Sequence, residues 1–228
     1  MIYVIGDTHG ELERFKEKPL RRLSKKDTLV VLGDFGFLWT GDKQEQKNLR
    51  WLQKRRYQLL FLDGCHENFD LLAQYPEVDY KGGKARHLGG NLYYIQRGSV
   101  LQVEDATLLC FGGAESWDKE DREEGINWWR QELPTSEELE RCVRQLEAHD
   151  WKVDYILTHD APRKILEFAQ LMKGQPNLLH TFFDEVMEKT GYKKWLFGRY
   201  HKDRSLGTKS QMVFCQSVAL DGGEAKPE

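Results

Sequence analysis

Apolar residues fall in short continuous runs along this chain, and many of those runs stop abruptly on Gly, Asp or His. The runs predict strands at Ile2–Ile5, Thr28–Leu32, Gln58–Leu62, Leu92–Ile95, Val100–Val103, Thr107–Phe111, Tyr155–Leu157, Trp195–Phe197 and Met212–Leu220. Several are unbroken Val/Ile/Leu/Phe stretches, as a sheet buried on both faces requires. The segments between them predict helices at Leu12–Leu23, Lys43–Arg56, Asn68–Gln74, Ser136–His149, Arg163–Leu171 and Asn177–Thr190. Thr135-Ser136-Glu137-Glu138 reads as a helix start, with Pro134 just ahead and acids in the first turn. Strand–helix alternation fills the first third of the chain. From Leu88 to Phe111 strands follow one another closely with Gly turns, which implies antiparallel pairing. The mixture predicts an α/β protein built as a layered sandwich of two sheets.

Composition narrows the picture. With 228 residues and 39% hydrophobic content, one sizeable core is expected, as a single domain over 1–221. Residues 115–133 interrupt the pattern by being acidic and aromatic together, with Trp117, Trp128 and Trp129 among Asp118, Glu120, Asp121, Glu123 and Glu124. Two readings of this insertion stand side by side: a lid over the strand ends, or an exposed loop anchored by two core tryptophans. The small polar tail at 222–228 is expected to be disordered. Net charge is −3 and no basic stripe stands out, so nucleic acid and anionic membranes are not expected partners. No apolar run reaches membrane-spanning length. Met1–Ile5 is too short for a signal segment, and a cytoplasmic protein is expected. Cys65, Cys110, Cys142 and Cys215 form no Cys-x-x-Cys, and Cys110 and Cys215 read as small core residues.

Candidate chemistry lies where the runs stop. Five motifs occur in order: Gly6-Asp7-Thr8-His9-Gly10, Gly33-Asp34, Gly64-Cys65-His66-Glu67, Thr158-His159-Asp160 and Gly198-Arg199-Tyr200-His201. Asp and His are ligands for catalytic divalent metals, and several strand ends can converge on one point. Asp7 and His9 are two apart, which can place both on one side of a strand end. A carboxylate at Asp34 can sit between two metals. His87, His149 and His180 lie outside the motifs and read as structural or surface residues.

The ordered set resembles the calcineurin-like metallophosphoesterase family: D-x-H, then G-D, G-N-H-(D/E), a lone H, and G-H-x-H. The resemblance runs from Asp7 to His201. It implies a two-sheet α/β/β/α sandwich, two divalent metals such as manganese, iron or zinc, and in-line attack on phosphorus by a metal-bound hydroxide. By resemblance, the first metal takes Asp7, His9, Asp34 and His201. The second shares Asp34 and takes His159, with the residues at positions 65 and 199. His66 stands at the position of the general acid that assists the leaving group, and Glu67 fits the pattern.

Two positions depart from the family. It carries Asn where this chain has Cys65, and His where it has Arg199. Both fall on the second metal. Arg cannot ligate a cation. Cys65 suits zinc or ferrous iron as a thiolate and suits manganese or magnesium poorly. One complete metal site is therefore expected, beside a second that has lost two ligands. Arg199 either grips phosphate oxygens in place of the missing metal or fills space beside an acid such as Asp203. The G-D-x-x-D-R-G signature of protein serine/threonine phosphatases is absent, and Phe35, Phe37 and Trp39 predict a different pocket wall. The expected activity is metal-dependent hydrolysis of a small phosphomonoester or phosphodiester, as phosphatase or phosphodiesterase. The competing expectation is a catalytically impaired binding or scaffold module. A nuclease has little support without a basic groove.

Overall fold

Strand β1 (Ile2–Ile5) shows how the layers arise. Side chains alternate along a strand, so Ile2 and Val4 enter one apolar cluster while Ile5 enters another. The same division occurs on β2 (Thr28–Val31), where Val30 parts from Leu29 and Val31. On β3 (Gln58–Phe61) it separates Leu60 from Leu59 and Phe61. Each strand is thereby buried on both faces. The structure, a computed structural model, describes residues 1–220; the tail expected at 222–228 lies outside the described residues.

The chain continues through β4 (Glu77–Tyr80), β5 (Gly83–Gly89), β6 (Leu92–Ile95), β7 (Ser99–Val103) and β8 (Ala106–Phe111). After the 115–133 segment come β9 (Tyr155–Thr158), β10 (Lys194–Phe197), β11 (Arg204–Leu206), β12 (Ser210–Met212) and β13 (Val218–Ala219). Among the described residues these form two mixed sheets. The first has the order β13-β1-β2-β3-β6-β5-β4 and the second β11-β12-β10-β9-β8-β7. The central strands β1, β2, β3 and β6 run parallel, as do β8, β9, β10 and β12.

Between the sheets lies a core in which Val4, Val30 and Leu60 meet Leu108, Cys110, Leu157 and Leu196. Outside the first sheet pack α1 (Lys43–Gln53) and α2 (Phe69–Ala73), through Leu49, Leu52 and Leu72. Outside the second pack α3 (Ser136–Ala148), α4 (Arg163–Phe168) and α5 (Leu178–Lys189), which close over Phe111, Ile156, Trp195 and Phe197. The result is the α/β/β/α sandwich expected from the sequence. Thr135 starts α3 with a capping box: its backbone N–H donates to Glu138 at 2.8 Å and its Oγ1 accepts from the Glu138 N–H. Such a cap contributes about 1 kcal/mol. No helix among the described residues is long and apolar enough to cross a membrane.

Several expectations fail locally. The helix predicted at 12–23 is two 3-10 turns, Leu12–Lys16 and Leu20–Arg22, because Pro19 supplies no backbone N–H to continue one helix. β4 and β5 escaped prediction because their outer face carries Glu77, Asp79, Lys84 and Arg86, whose ion pairs cover a sheet edge. The strand predicted at 212–220 breaks in the middle. Asp203 accepts the backbone N–H groups of Phe214, Cys215 and Gln216, which takes them out of any ladder. β13 then crosses to pair with β1 in the other sheet. Cys215, expected in the core, is exposed for the same reason, whereas Cys110 is buried.

Candidate metal centre

The five motifs follow the carboxyl ends of β1, β2, β3, β9 and β10, the side of an open α/β sheet where ligands bind. Crowding there is severe, and two glycines make room. A Cβ on Gly64 would lie 2.1 Å from Asp34 Oδ1, and one on Gly198 would lie 2.4 Å from Asp7 Oδ1. His9, Asp34, Arg199 and His201 all hold positive φ, between 44° and 65°. Non-glycine residues adopt that conformation at a cost, and such strain collects at functional sites.

The structure gathers Asp7, His9 and His201 at one point, and His9 also groups with Asp34 and His66. His9 Nε2 lies 3.0 Å from His201 Nε2 and 3.9 Å from Asp34 Oδ2. His201 Nε2 lies 3.0 Å from Asp7 Oδ2, yet that buried oxygen has no hydrogen bond of good geometry. Two ring nitrogens and an orphaned carboxylate oxygen facing one another fit a bound cation. Arg14 and Phe214 brace this corner. Arg14 donates to the carbonyls of Asp7 and Phe214, and the Phe214 ring stacks on His201 at 4.6 Å. Sequence reasoning missed Arg14, which lies within the helix predicted at 12–23.

Asp34, Cys65 and His159 form a second group. His159 is fully buried; its Nδ1 lies 2.7 Å from the Leu32 carbonyl, which assigns the ring proton there. The bare Nε2 then faces Asp34 Oδ1 at 3.6 Å and Cys65 Sγ at 4.0 Å. Imidazoles that ligate metals hold their other nitrogen in this way. Burial and the neighbouring Asp34 push the Cys65 thiol up, so without a cation it stays protonated. This donor set fits an ion less well than the first group.

Asp34 joins the two groups. Its Oδ1 accepts from the His66 backbone N–H at 2.8 Å, and its Oδ2 lies 2.8 Å from His66 Nδ1. Burial alone would raise its carboxyl, but the imidazoles of His159, His66 and His9 outweigh that and hold it below the usual range. The hydrogen bond from His66 to Asp34 in turn raises His66, and burial lowers His9. Glu67 Oε1 accepts from the Phe35 N–H at 2.8 Å, tying the Asp34 turn to the His66 turn.

Arg199 stands at the edge of the second group. Its backbone N–H donates to Asp7 Oδ1 at 2.9 Å. Its guanidinium is buried and held from behind: Nη1 donates to Asp160 Oδ2 and Nη2 to the Glu115 carbonyl, both at 2.6 Å. Trp117 lies 4.7 Å from the guanidinium carbon. The acid beside Arg199 is therefore Asp160, while the expected candidate Asp203 is occupied by the 214–216 backbone. Asp160 also accepts from Tyr200 Oη at 2.6 Å and lies 3.0 Å from His180 Nε2. His180, read as structural or surface, is buried in this network.

The segment 115–133 is both anchored and part of the site wall. Trp129 is buried against Trp39 and donates to Asp70, and Glu132 accepts from the Ser116 backbone and hydroxyl. Ser116, Trp117, Asp118 and Arg122 line a cavity of about 340 Å³ together with His9, Asp34, Cys65, His66, Arg199 and His201. Phe35 and Phe37 do not form its wall. Both are buried in the helix-side core, where Phe35 stacks on Phe61 at 4.2 Å.

The sequence profile described as calcineurin-like phosphoesterase matches residues 1–198. No curated protein matches the chain. Among solved structures, TT1561 of Thermus thermophilus is similar at a TM-score of 0.50 and 15% identity, covering 93% of this chain and 87% of that one. The phosphopantetheinyl hydrolase PptH of Mycobacterium tuberculosis aligns at a TM-score of 0.45 and 14% identity, over 93% and 89% of the two chains. The sulfate thiohydrolase SoxB of Thermus thermophilus aligns at 0.42 and 15%, over 92% of this chain and 38% of that one. The likeness to TT1561 is one of fold.

Proposed function

The chain belongs to the calcineurin-like phosphoesterase family, and from that premise we propose that it hydrolyses a small phosphoester with the help of divalent metal. The observation that carries this reading is the meeting of Asp7, His9 and His201 around an orphaned carboxylate oxygen, with Asp34 joined to them through His9, beside a cavity whose lining includes Arg122 and Arg199. Asp7, His9, Asp34 and His201 would hold one ion firmly. Asp34, His159 and Cys65 would hold a second weakly, since Cys65 must first lose a proton and Arg199 offers no ligand atom. A bound divalent ion, manganese, iron or zinc, supplies Lewis acidity toward the phosphoryl group.

The chain's own residues do the rest. Asp34 orients the His66 ring by holding its backbone N–H and Nδ1, so that Nε2 turns to the cavity to protonate the leaving oxygen. Arg199 is fixed by Asp160, the Glu115 carbonyl and Trp117, with its buried Nε left without a partner. A guanidinium held this rigidly offers a phosphate oxygen a preformed donor. The 115–133 segment closes one side of the cavity with Ser116, Trp117, Asp118 and Arg122.

The deciding experiment joins metal analysis to turnover. Protein purified without chelator is expected to carry about one tightly held divalent ion per chain and to hydrolyse a generic aryl phosphate. Asp7→Asn should lose both ion and turnover. Metal-replete protein without turnover on any aryl phosphate would leave the binding-module reading in its place.

A further inference from the structure

Arg122 is a cation that the function above leaves unused. It lies on the 115–133 segment, and its Nη2 is 3.0 Å from His66 Nε2. The guanidinium is fixed from behind. Asp118 takes Nε at 2.8 Å and Nη2 at 2.9 Å, and the Asn127 carbonyl takes Nη1 at 3.1 Å. A fork gripped on two sides cannot swing freely. The Nη2 proton left over points at the one His66 nitrogen that Asp34 does not hold. When His66 acts as the acid, Nε2 carries a proton and no longer accepts from Arg122, whereas a phosphate oxyanion in that place makes a charge-assisted bond with the guanidinium.

Arg199 lines the same cavity and is built the same way, with Asp160 behind it and Nε without a partner. Two arginines, each braced by its own carboxylate, thus line one shared space. We propose that Arg122 and Arg199 are paired receptors for phosphate oxygens, and that the substrate class is the phosphomonoester rather than the phosphodiester. This rests on the phosphoesterase reading above.

The count of oxygens decides between the two classes. A phosphomonoester has three terminal oxygens: one for the Asp7–His9–Asp34–His201 cluster, one for each guanidinium. A diester has only two, and its second organic group falls where one guanidinium points. That would leave a largely buried charged donor without a partner, the arrangement by which hydrogen-bonding sites reject close analogues. Hydrolysis of the monoester adds water across the phosphorus–oxygen ester bond and releases inorganic phosphate and an alcohol. Trp117, exposed beside Arg199, offers the alcohol portion an aromatic surface.

The test uses metal-loaded protein with Arg122 intact, Arg122→Ala and Arg122→Lys. It reads kcat and KM on 4-nitrophenyl phosphate and bis(4-nitrophenyl) phosphate, with inorganic phosphate affinity measured by calorimetry. The unaltered protein should prefer the monoester by at least about 10²-fold in kcat/KM. Arg122→Ala should lose about 10- to 100-fold on the monoester and in phosphate affinity, with the diester unchanged or improved, so that the preference narrows. Arg122→Lys should recover only part, because it keeps the charge without the planar fork. Metal content and Tm should hold. A native preference for the diester, or phosphate affinity untouched by Arg122→Ala, overturns the proposal. Absence of turnover on both esters defeats the hydrolase reading instead, and the phosphate titration then still decides whether the arginines are a receptor.

Discussion

Arg199 stands where the family places a metal ligand, so the fate of its charge can be measured as stability. Asp160 is fully buried and accepts at four points: Arg199 Nη1 at 2.6 Å, His180 Nε2 at 3.0 Å, Tyr200 Oη at 2.6 Å and the Ala161 N–H at 2.9 Å. Arg199→Met removes one charge-assisted bond but leaves Asp160 three partners, so we expect a loss of about 2–3 kcal/mol. Asp160→Asn is harsher. It leaves the buried guanidinium with no countercharge, and about 3–5 kcal/mol is expected. The double variant removes both charges together, so its loss should fall short of the sum by about 2 kcal/mol. For a domain of this size the harsher single change lowers Tm by roughly 10 °C. Denaturant unfolding of chelator-treated protein measures the cycle without metal linkage, and calorimetry checks the Tm order. Additivity within about 0.5 kcal/mol, or single losses below that, would refute the argument. Arg199 would then be an uncoupled side chain that merely occupies the second site.

Three further outcomes are expected. His66→Ala should slow esters with poor leaving groups by about 10²–10⁴-fold while sparing those that need no proton; equal loss on both, measured by leaving-group dependence of kcat, would make His66 a ligand or a structural residue. Cys65→Asn combined with Arg199→His restores the family's second set of ligands, and metal titration should find a tighter second ion; because Asp160 loses the Arg199 guanidinium, this should come with a lower Tm, and an unchanged second-ion affinity would count against the ligand assignment. At the opposite end of β9, Asp154 accepts from the Thr107 N–H at 2.8 Å, its hydroxyl at 2.9 Å and Lys193 Nζ at 2.8 Å. Burial would raise this carboxyl, but Lys193 and Thr107 outweigh it and hold it below its ordinary value. A depressed folded-state pKa stabilises above the unfolded value of about 3.9 and is lost as pH falls further. Asp154→Asn should therefore flatten the decline in denaturant midpoint on the acid side of about pH 5, and an unchanged slope would contradict it.

How much of this was readable beforehand follows from what each residue depends on. Asp7, Asp34 and His159 were legible because each ends a buried strand, and a polar group in that place announces itself against Val, Ile and Leu. β4 and β5 were not, since Val78, Tyr80 and Ala85 alternate with charged residues over stretches too short to stand out beside the continuous apolar runs. Arg122 was hidden for another reason. It stands in an acidic, aromatic segment whose anchors, Glu132 on Ser116 and Trp129 on Asp70, form only in three dimensions. The departures at 65 and 199 are the sharpest case. The sequence displays them as ligands lost, because a family pattern registers what is missing at a position. It cannot register that Asp160, one residue past His159, turns back to meet the new guanidinium, or that His180 and Tyr200 close around the same carboxylate. A cation site that loses its ion leaves carboxylates facing one another, and burial makes that costly. A fixed guanidinium with its own counterion removes the cost permanently and needs no metal to do it. On that argument Arg199 and Asp160 are one unit, and changing either alone should disturb the fold before it disturbs the first metal.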